Sequence, residues 1–172
     1  MAARDVLKNI NLFVDGRGYA GQIDEYNAPD LTLQLEDYRA GGMDAPIAIE
    51  MGQEALETSF QLISYDADVL ALWGVAEGAS VPLTVRGALE SFDGTVKPVL
   101  HQMRGRITSM QRGAWTPGSK PALTVTLRLT YYKETHNGSV LHEIDVENMV
   151  RIVNGTDRLA AQREALGQGD NE

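Results

Sequence analysis

Apolar and polar residues alternate along several short stretches of the chain, which is the pattern of half-buried β-strands. The clearest stretch is 124–131, where every second residue is apolar and is predicted to face the core. These inward-facing residues are Val125, Leu127, Leu129 and Tyr131. A second stretch, 81–90, alternates in the same way. Its apolar face consists of Val81, Leu83, Val85 and Leu89.

Tight-turn sequences separate the alternating stretches. Asp15-Gly16, Asp93-Gly94 and Asn137-Gly138 all favour short β-hairpins. Further β-rich stretches bring the predicted total to seven or more strands. They are 9–14, 19–23, 31–35, 58–64, 96–107 and 142–146. The stretch 31–35 is predicted to be half-buried, because its leucines alternate with polar residues.

Two segments have helical periodicity instead. In 66–76 one helical face contains Val69, Leu70, Trp73 and Ala76, so Trp73 is predicted to be a core residue. A second helix is predicted at 158–166, with Asp157 as its cap and Gly167 at its end. The sequence therefore predicts a mainly β fold, an antiparallel β-sandwich or barrel with one or two short flanking α-helices.

The segment 37–57 does not fit this pattern well. Gly41-Gly42 interrupts it and Pro46 restricts it to a sheet edge or an arm. Apolar residues nevertheless recur through it at Met43, Ile47, Ile49 and Met51. Because a lone two-stranded hairpin is marginally stable in water, the segment either folds back on its own domain or docks on a neighbouring subunit. The pattern leaves both alternatives open.

The length of 172 residues and the 43% hydrophobic content fit one folded domain. We predict a single domain at 1–167, with 38–57 as an extended arm and a disordered polar tail at 168–172. No apolar stretch approaches the ~20 residues that span a bilayer. The N-terminus lacks the continuous apolar region of a signal peptide, which predicts a protein made and folded in the cytoplasm.

The charge and the cysteine content limit the kinds of functional site that the chain can contain. The formal net charge is −9, with the acidic excess mostly between Asp24 and Glu57, which makes nucleic-acid wrapping a poor expectation. The absence of cysteine excludes disulfides and thiolate metal sites. With three histidines, a His-based metal site is not expected, and His101 and His136 lack partners at ligand spacing. We predict no catalytic, cofactor-binding or metal-binding residues, and no enzyme.

Four stretches of the sequence stand out as motifs. The first three are NLFVDG at 11–16, YRAGGMDAPI at 38–47 and MRGR at 103–106. The fourth runs from YYK at 131–133 through EIDVENM at 143–149 to VNGTDRLAAQREALG at 153–167. Together, and in this order along nearly the whole chain, they resemble the major tail tube proteins of contractile-tailed bacteriophages and R-type pyocins. The resemblance implies a tail-tube fold, a β-sandwich-like barrel with a packed helix.

The resemblance also implies a structural function. Six subunits would join their sheets into a ring, and rings would stack into a hollow tube inside a contractile sheath. The tube would be driven through a cell envelope and conduct DNA in a phage or ions in a pyocin. Implied partners are further copies of the chain, the sheath protein, and baseplate and tube-terminator proteins. The implied location is the virion or pyocin tail particle, assembled in the host bacterial cytoplasm without cofactors.

Two sets of residues receive expected roles from the resemblance. The expected inter-subunit arm consists of Tyr38, Arg39, Gly41, Gly42, Met43, Ile47, Ile49 and Met51. The expected channel lining consists of the polar faces of two strands, namely Thr84, Arg86, Glu90, Thr126, Arg128 and Thr130. An acidic channel is expected, because it would repel DNA and prevent sticking.

Two alternatives remain. The first is the related tube protein of a type VI secretion apparatus, which shares the ring architecture. The second is a small β-barrel ligand-binding module or cofactor-dependent enzyme, which needs an enclosed pocket with convergent polar groups. A pocket protein would stay a monomer or dimer, whereas a tube protein forms rings or filaments.

Overall fold

A computed structural model describes residues 2–168, in which β-strands dominate and two short helices flank them. The strands of the first half are β1 (Val6–Val14), β2 (Arg17–Gly18), β3 (Ile23–Asn27), β4 (Leu33–Tyr38), β5 (Ile47–Gln53) and β6 (Glu57–Leu62). Those of the second half are β7 (Val81–Glu90), β8 (Val96–Gln111), β9 (Leu123–His136), β10 (Ser139–Asp145), β11 (Val150–Val153) and β12 (Thr156–Asp157). The helices are α1 (Ala67–Leu70) and α2 (Ala160–Ala165). The predicted mainly β class with two short helices is confirmed.

All strand pairs are antiparallel, and ten of the strands form one sheet. Its order is β12-β11-β10-β9-β8-β7-β1-β2, and β6 pairs with both β9 and β3. The two longest strands, β8 and β9, pair along most of their length, so they connect all parts of the sheet. Within the described residues the sheet does not close into a barrel.

The core lies on one face of this sheet and uses the strands that the alternating pattern indicated. Its buried side chains come from β1, β6, β7, β8, β9 and β10, joined by Val69 of α1 and by residues of the connecting loops. The largest of them are Tyr132, Phe60, Leu12, Leu56, Leu62, Leu83, Met103, Leu123 and Leu127. Tyr26 of β3 contacts His101 of β8 although their strands are not neighbours, so the sheet curls over its own core.

Tight turns form where the sequence indicated them. Asn137 and Gly138 have φ angles of 47° and 83°, the left-handed geometry of a two-residue hairpin loop. Asp15-Gly16 adopts the same geometry. The predicted return strand at 19–23 is wrong, because Tyr19 turns into the core and the next strand, β3, pairs with β6 instead.

The prediction that Tyr131 faces the core is also wrong. A β-bulge shifts the pairing, so that Arg104 lies opposite Tyr131 but Gly105 lies opposite Leu129. Beyond the bulge the inward position passes to Tyr132, which is buried, and Tyr131 lies on the outer face. There its ring centroid lies 4.6 Å from the guanidinium carbon of Arg104.

Gly105 permits the close approach of the two strands at this bulge. A Cβ atom at this position would collide with the carbonyl oxygen of Arg128 and lie 2.9 Å from Cδ2 of Leu129. We expect Gly105→Ala to lower the free energy of unfolding by about 1–3 kcal/mol, because backbone atoms must shift. Urea denaturation measures this loss. Gly41→Ala is the control, since nothing lies within 4 Å of a Cβ there; equal losses in both variants would contradict the explanation.

The first predicted helix is much shorter than its pattern suggested. Asp66 caps α1 by accepting hydrogen bonds from the backbone N–H groups of Asp68 and Val69 at 3.0 and 3.2 Å. The chain leaves the helix soon afterwards, and Gly74 adopts a φ of 74°. The prediction that Trp73 is a core residue is therefore wrong, since its side chain is 61% exposed.

The C-terminal helix α2 starts two residues later than predicted, with Leu159 at its N-cap position. Asp157 still supports this end, because its carboxylate accepts a 3.0 Å hydrogen bond from the N–H of Leu159. Gly167 follows the helix with a φ of 72°, as expected for a terminating glycine. The predicted tail lies outside the described residues apart from Gln168. Among the described helices, none is long and apolar enough to cross a membrane.

Candidate functional site

A two-stranded hairpin stands apart from the main sheet. β4 and β5 pair only with each other among the described residues, with Tyr38 opposite Ile47 at the turn end. Every residue of β4 is exposed, and so is every residue of β5 except Gln53. The predicted half-burial of 31–35 is therefore wrong, because these residues belong to the base of the hairpin rather than to the ten-stranded sheet.

One face of this hairpin is apolar. Opposing residues of an antiparallel pair share a face, so the register groups Tyr38, Ile47 and Ile49 with the single acidic residue Glu36. Tyr38 is 50% exposed and Ile47 is 53% exposed. Exposed apolar patches on soluble proteins mark interaction sites, and an isolated hairpin of two strands is barely stable in water. This face, called here the apolar hairpin face, needs a partner.

The opposite face of the hairpin contacts the ten-stranded sheet. Glu50 of β5 forms an ion pair with Arg151 of β11, whose side chain is largely buried. The backbone N–H of Glu54 donates a 2.8 Å hydrogen bond to the carbonyl of Thr32, which closes the base of the hairpin. An open groove of about 1080 Å³ lies between the hairpin base and the β10–β11 region. Its apolar lining includes Leu33, Met51, Ile144, Val146, Met149 and Leu159.

The residues predicted for the arm lie together on this hairpin. Ile47, Ile49 and Met51 are on β5, and the turn that joins the strands contains Arg39, Gly41, Gly42 and Met43. Arg39 Nε donates a 3.2 Å hydrogen bond to the carbonyl of Met43, which orders this turn. The hairpin extends from Leu33 to Gln53, so it starts before Tyr38. Leu56 at the other end is buried in the body.

The six residues expected to line a channel lie on the face of the sheet opposite the core. On β7, Thr84, Arg86 and Glu90 alternate with the buried Val81, Leu83 and Val85. On β9, Thr126 and Arg128 alternate with the buried Val125 and Leu127. Thr130 lies at the bulge, where its hydroxyl donates a 3.5 Å hydrogen bond to the carbonyl of Arg104. The structure therefore places these residues on one outer face.

The charge of this outer face differs from the acidic lining that was expected. β8 lies between β7 and β9 and contributes Arg104 and Arg106 to the same face, opposite Pro82 and Arg128 in the register. Lys133 of β9 lies opposite Gln102 of β8, two positions from Tyr131. Basic residues thus outnumber acidic ones across these three strands. If this face lines a channel, its central strands are basic.

A polar cluster lies on the other, core-facing side of the sheet, where the hydrophobic core ends. Glu134 of β9 is opposite His101 of β8 and also opposite His142 of β10. His136 lies two residues along β9 and therefore on the same face. Glu134 Oε1 lies 2.7 Å from His136 Nε2 and 3.3 Å from His101 Nε2, while its Oε2 lies 3.1 Å from His142 Nδ1. All three histidines of the chain thus surround one carboxylate.

Spacing along the sequence does not reveal this cluster, because His101 lies far from Glu134 and His136 along the chain. The strand register, not the spacing, brings His101 to Glu134. Three of the groups, His101, Glu134 and His136, place one ligand atom each within 4.8 Å of one another, which a metal ion requires. Tyr132 also contacts the cluster, since its hydroxyl donates a 3.1 Å hydrogen bond to Glu134 Oε2.

The surroundings of the cluster shift its acid–base properties. Burial raises the pKa of Glu134, but hydrogen bonds from His136 and His142 outweigh it and lower the pKa to about 2. Burial also lowers the pKa of His101, although the Glu134 carboxylate opposes this shift. At neutral pH the cluster therefore holds an ionised Glu134 beside a neutral His101.

These shifts predict that acid destabilises the fold. A carboxyl whose pKa is depressed from 4.5 to about 2 stabilises the folded state above pH ~4.5 and loses that contribution toward pH ~2. His101, with a lowered pKa, adds a loss that starts as the pH falls below ~6.5. We expect the free energy of unfolding to fall on acidification, with about 2–3 kcal/mol from Glu134.

Urea denaturation between pH 7 and pH 3 measures this dependence. Glu134→Gln should remove the part of the loss that occurs below pH ~4.5. Asp93→Asn is a suitable control, because Asp93 also has a lowered pKa but is exposed and lies in the loop between β7 and β8, outside the cluster. A Glu134→Gln profile parallel to that of the unmodified chain would contradict the assignment.

The fold and the hairpin together define a structural class. Within the described residues the sheet is open at both ends, the groove beside the hairpin base is open rather than enclosed, and the apolar hairpin projects without a partner. These are features of a β protein that assembles with other chains rather than one that encloses a small ligand.

The particular family follows from comparison with known proteins. Residues 4–167 match the family model described as Phage tail tube protein FII. The tail tube protein of Escherichia phage P2 is 32% identical over 171 residues, which cover 97% of this chain and 99% of that protein. The major tail tube protein of Serratia phage KSP20 is 30% identical over 176 residues, covering 98% and 99%. The chain belongs to the phage tail tube protein FII family and is a structural tail tube protein.

Solved structures share the fold at low sequence identity. A cryo-EM structure of an extracellular contractile injection system, the PVC sheath–tube complex in the extended state, has a TM-score of 0.55 and 11% identity. The similarity covers 73% of this chain and 87% of that one. The PVC sheath/tube terminator in the extended state has a TM-score of 0.56 and 10% identity, covering 73% and 92%. The tail-tube fold that the sequence resemblance implied is therefore confirmed.

Proposed function

We propose that this tail tube protein forms hexameric rings that stack into the hollow inner tube of a contractile phage tail or pyocin. The apolar hairpin face carries the proposal, because it groups exposed apolar side chains on a hairpin that pairs with no other strand of the described residues. In the ring it contacts an adjacent subunit or the next ring. The subunit acts as a structural component, not as a catalyst.

The open ends of the sheet support ring closure. β2 covers only the last two residues of β1, and β12 covers only the last two residues of β11. Most of β1 and half of β11 therefore have one edge to which no described strand is paired. Pairing between the two ends of neighbouring subunits would satisfy these edges, and such a head-to-tail contact closes into a ring when the rotation fits.

The outer face of β7 and β9 is the proposed channel lining. It contains Thr84, Arg86, Glu90, Thr126, Arg128 and Thr130. One face of a sheet that continues around a ring must point inward, and the core occupies the opposite side of these strands. The channel would conduct DNA in a phage or ions in a pyocin.

The proposed partners outside the tube are a contractile sheath, a baseplate and a tube-terminator protein. Support comes from the similar fold in the PVC sheath–tube complex and in the PVC tube terminator. The proposed location is the tail particle, assembled in the cytoplasm of the host bacterium.

Negative-stain electron microscopy over a concentration series tests this function. We expect hollow rings or tubes with a central channel, and their fraction should rise with protein concentration. Particles that stay monomeric or dimeric at every concentration, even when tube fragments are added as seeds, would contradict the proposal.

A further inference from the structure

The cluster around Glu134 is built from three adjacent strands. The register aligns His101 of β8, Glu134 of β9 and His142 of β10 in one row across the sheet, and His136 follows on β9. Such a row is held by the backbone hydrogen bonds of β8, β9 and β10. The side chains therefore start from fixed positions rather than from mobile loops, which a preorganised site requires.

The distances within the cluster suit a small divalent cation. Ligands at 2.0–2.1 Å from a tetrahedral Zn²⁺ lie about 3.3 Å apart. His101 Nε2 and Glu134 Oε1 are separated by 3.3 Å, which meets this requirement. His136 Nε2 lies 2.7 Å from the same oxygen, so it must move outward by about half an ångström to reach 3.3 Å. Its side chain is 37% exposed and has room to do so.

His101 is already oriented like a metal ligand. Its Nδ1 lies 2.9 Å from the hydroxyl of Tyr26, and its buried Nε2 has no hydrogen-bond partner even though it approaches Glu134. A metal-binding histidine characteristically has its second ring nitrogen held by a neighbouring group, which fixes the ring orientation. Binding of a cation by Nε2 would satisfy this buried atom.

The second oxygen of Glu134 is supported separately. Its Oε2 accepts a 3.1 Å hydrogen bond from the Tyr132 hydroxyl and lies 3.1 Å from His142 Nδ1. These contacts leave Oε1 to point toward His101 and His136. Hydrogen bonds to a ligating carboxylate of this kind orient it and strengthen binding.

We propose that His101, Glu134 and His136 form a binding site for a divalent transition-metal ion of the Zn²⁺ type. Two imidazoles and one carboxylate leave a fourth position for water. Nitrogen ligands favour Zn²⁺, Co²⁺, Ni²⁺ or Cu²⁺ over Mg²⁺ and Ca²⁺, which prefer all-oxygen sites. The ion would link β8 and β9 at the end of the core. This site does not depend on tube assembly.

Direct titration of the full-length chain with ZnCl₂ tests the proposal, using protein prepared without a polyhistidine tag. Calorimetry should show one Zn²⁺ bound per chain. CoCl₂ should give the visible absorption of a tetrahedral nitrogen–oxygen site. At a free Zn²⁺ concentration of 100 times the dissociation constant, the melting temperature should rise by about 5–10 °C. MgCl₂ should change neither signal.

Variants of the cluster decide which residues bind the ion. His136→Gln is the main test, because this partly exposed residue is removed with little risk to the fold. It should weaken Zn²⁺ binding by about 100-fold or more and abolish the thermal shift, as should Glu134→Gln. His142→Gln, which alters only the support of Glu134, should weaken binding by about 10–100-fold.

The outcomes are distinct. A metal-free His136→Gln chain that melts like the unmodified chain but no longer binds Zn²⁺ supports the site. Absence of Zn²⁺ binding to the unmodified chain overturns it, and so does unchanged affinity in His136→Gln. The titration is done below the concentration at which rings form, so that a failure of assembly does not affect the result.

Discussion

Replacement of Ile47 and Ile49 by Asp is expected to abolish ring and tube formation while the monomer stays folded. The two side chains share the apolar hairpin face and make no contribution to the buried core. Burying two carboxylates in an apolar contact without partners costs several kcal/mol, more than an assembly contact of ordinary strength can offset. Negative-stain microscopy and analytical ultracentrifugation measure assembly, and urea denaturation measures the monomer.

Ala48→Asp is the matched control for this prediction. Ala48 lies on the same strand, but the register places it beside Asp37 on the opposite face. We expect Ala48→Asp to retain assembly and Ile49→Asp alone to impair it strongly. Normal tubes from the double variant would contradict the role of the apolar hairpin face. Loss of monomer folding would also contradict it, because the hairpin would then be part of the folding unit.

Phe60→Ala is expected to lower the free energy of unfolding by about 3–5 kcal/mol. The hairpin variants, by contrast, are expected to leave the monomer folded. Phe60 is 1% exposed and lies on β6, directly opposite Val125 of β9. Truncation leaves a cavity at the contact between the β3–β6 pair and the two long strands. Because typical domains are stable by only 5–15 kcal/mol, this loss should reduce the yield of folded subunit.

Urea denaturation of the monomer measures this effect, with Phe92→Ala as the control. Phe92 is 83% exposed in the loop before β8, so its truncation should change stability by less than about 0.5 kcal/mol. Similar losses from Phe60→Ala and Phe92→Ala would contradict the placement of the core. Together with the hairpin variants, the pair separates the residues that stabilise the subunit from those that assemble it.

The strand pattern was predictable where one face of a strand is buried. Val81, Leu83 and Val85 alternate with polar residues because each packs into the core while its neighbours face outward. The Asn137-Gly138 turn was equally readable, since both residues adopt left-handed φ angles that few other pairs tolerate. Local chemistry determines these features, so one sequence is sufficient to indicate them.

Features that depend on a partner strand were not predictable. The bulge at Thr130 moves the buried position from Tyr131 to Tyr132, and Gly105 of β8 permits the close strand approach at this point. Trp73 satisfies helical spacing, yet α1 ends at Leu70 and the indole remains exposed. Periodicity indicates which residues share a face only while the element continues, so it predicted neither the bulge nor the early end of α1.

The hairpin was predictable in part. Its glycines and alternating apolar residues indicated a segment that is separate from the core, but they did not decide between folding back and projecting outward. Leu31, Leu33 and Leu35 recur at alternate positions, as they would in a half-buried strand, yet all three are exposed. Exposed assembly strands need the same apolar residues, because their burial occurs only in the complete particle.

The hairpin turn alone predicts part of the histidine cluster, namely the proximity of Glu134 and His142. A two-residue turn at Asn137-Gly138 pairs His136 with Ser139, and counting back along both strands brings Glu134 close to His142. The irregularity between Val140 and His142 completes that alignment. The approach of His101 depends on the register of β8 against β9 across a long loop, which sequence spacing does not contain.

A cryo-EM reconstruction of assembled tubes tests the central claim most directly, because it shows where the hairpin lies in the particle. We predict six subunits per ring, with Tyr38, Ile47 and Ile49 buried against a neighbouring subunit and the outer face of β7 and β9 lining the channel. A tube in which the hairpin projects into solvent, or in which the outer face of these strands points away from the channel, would contradict the account.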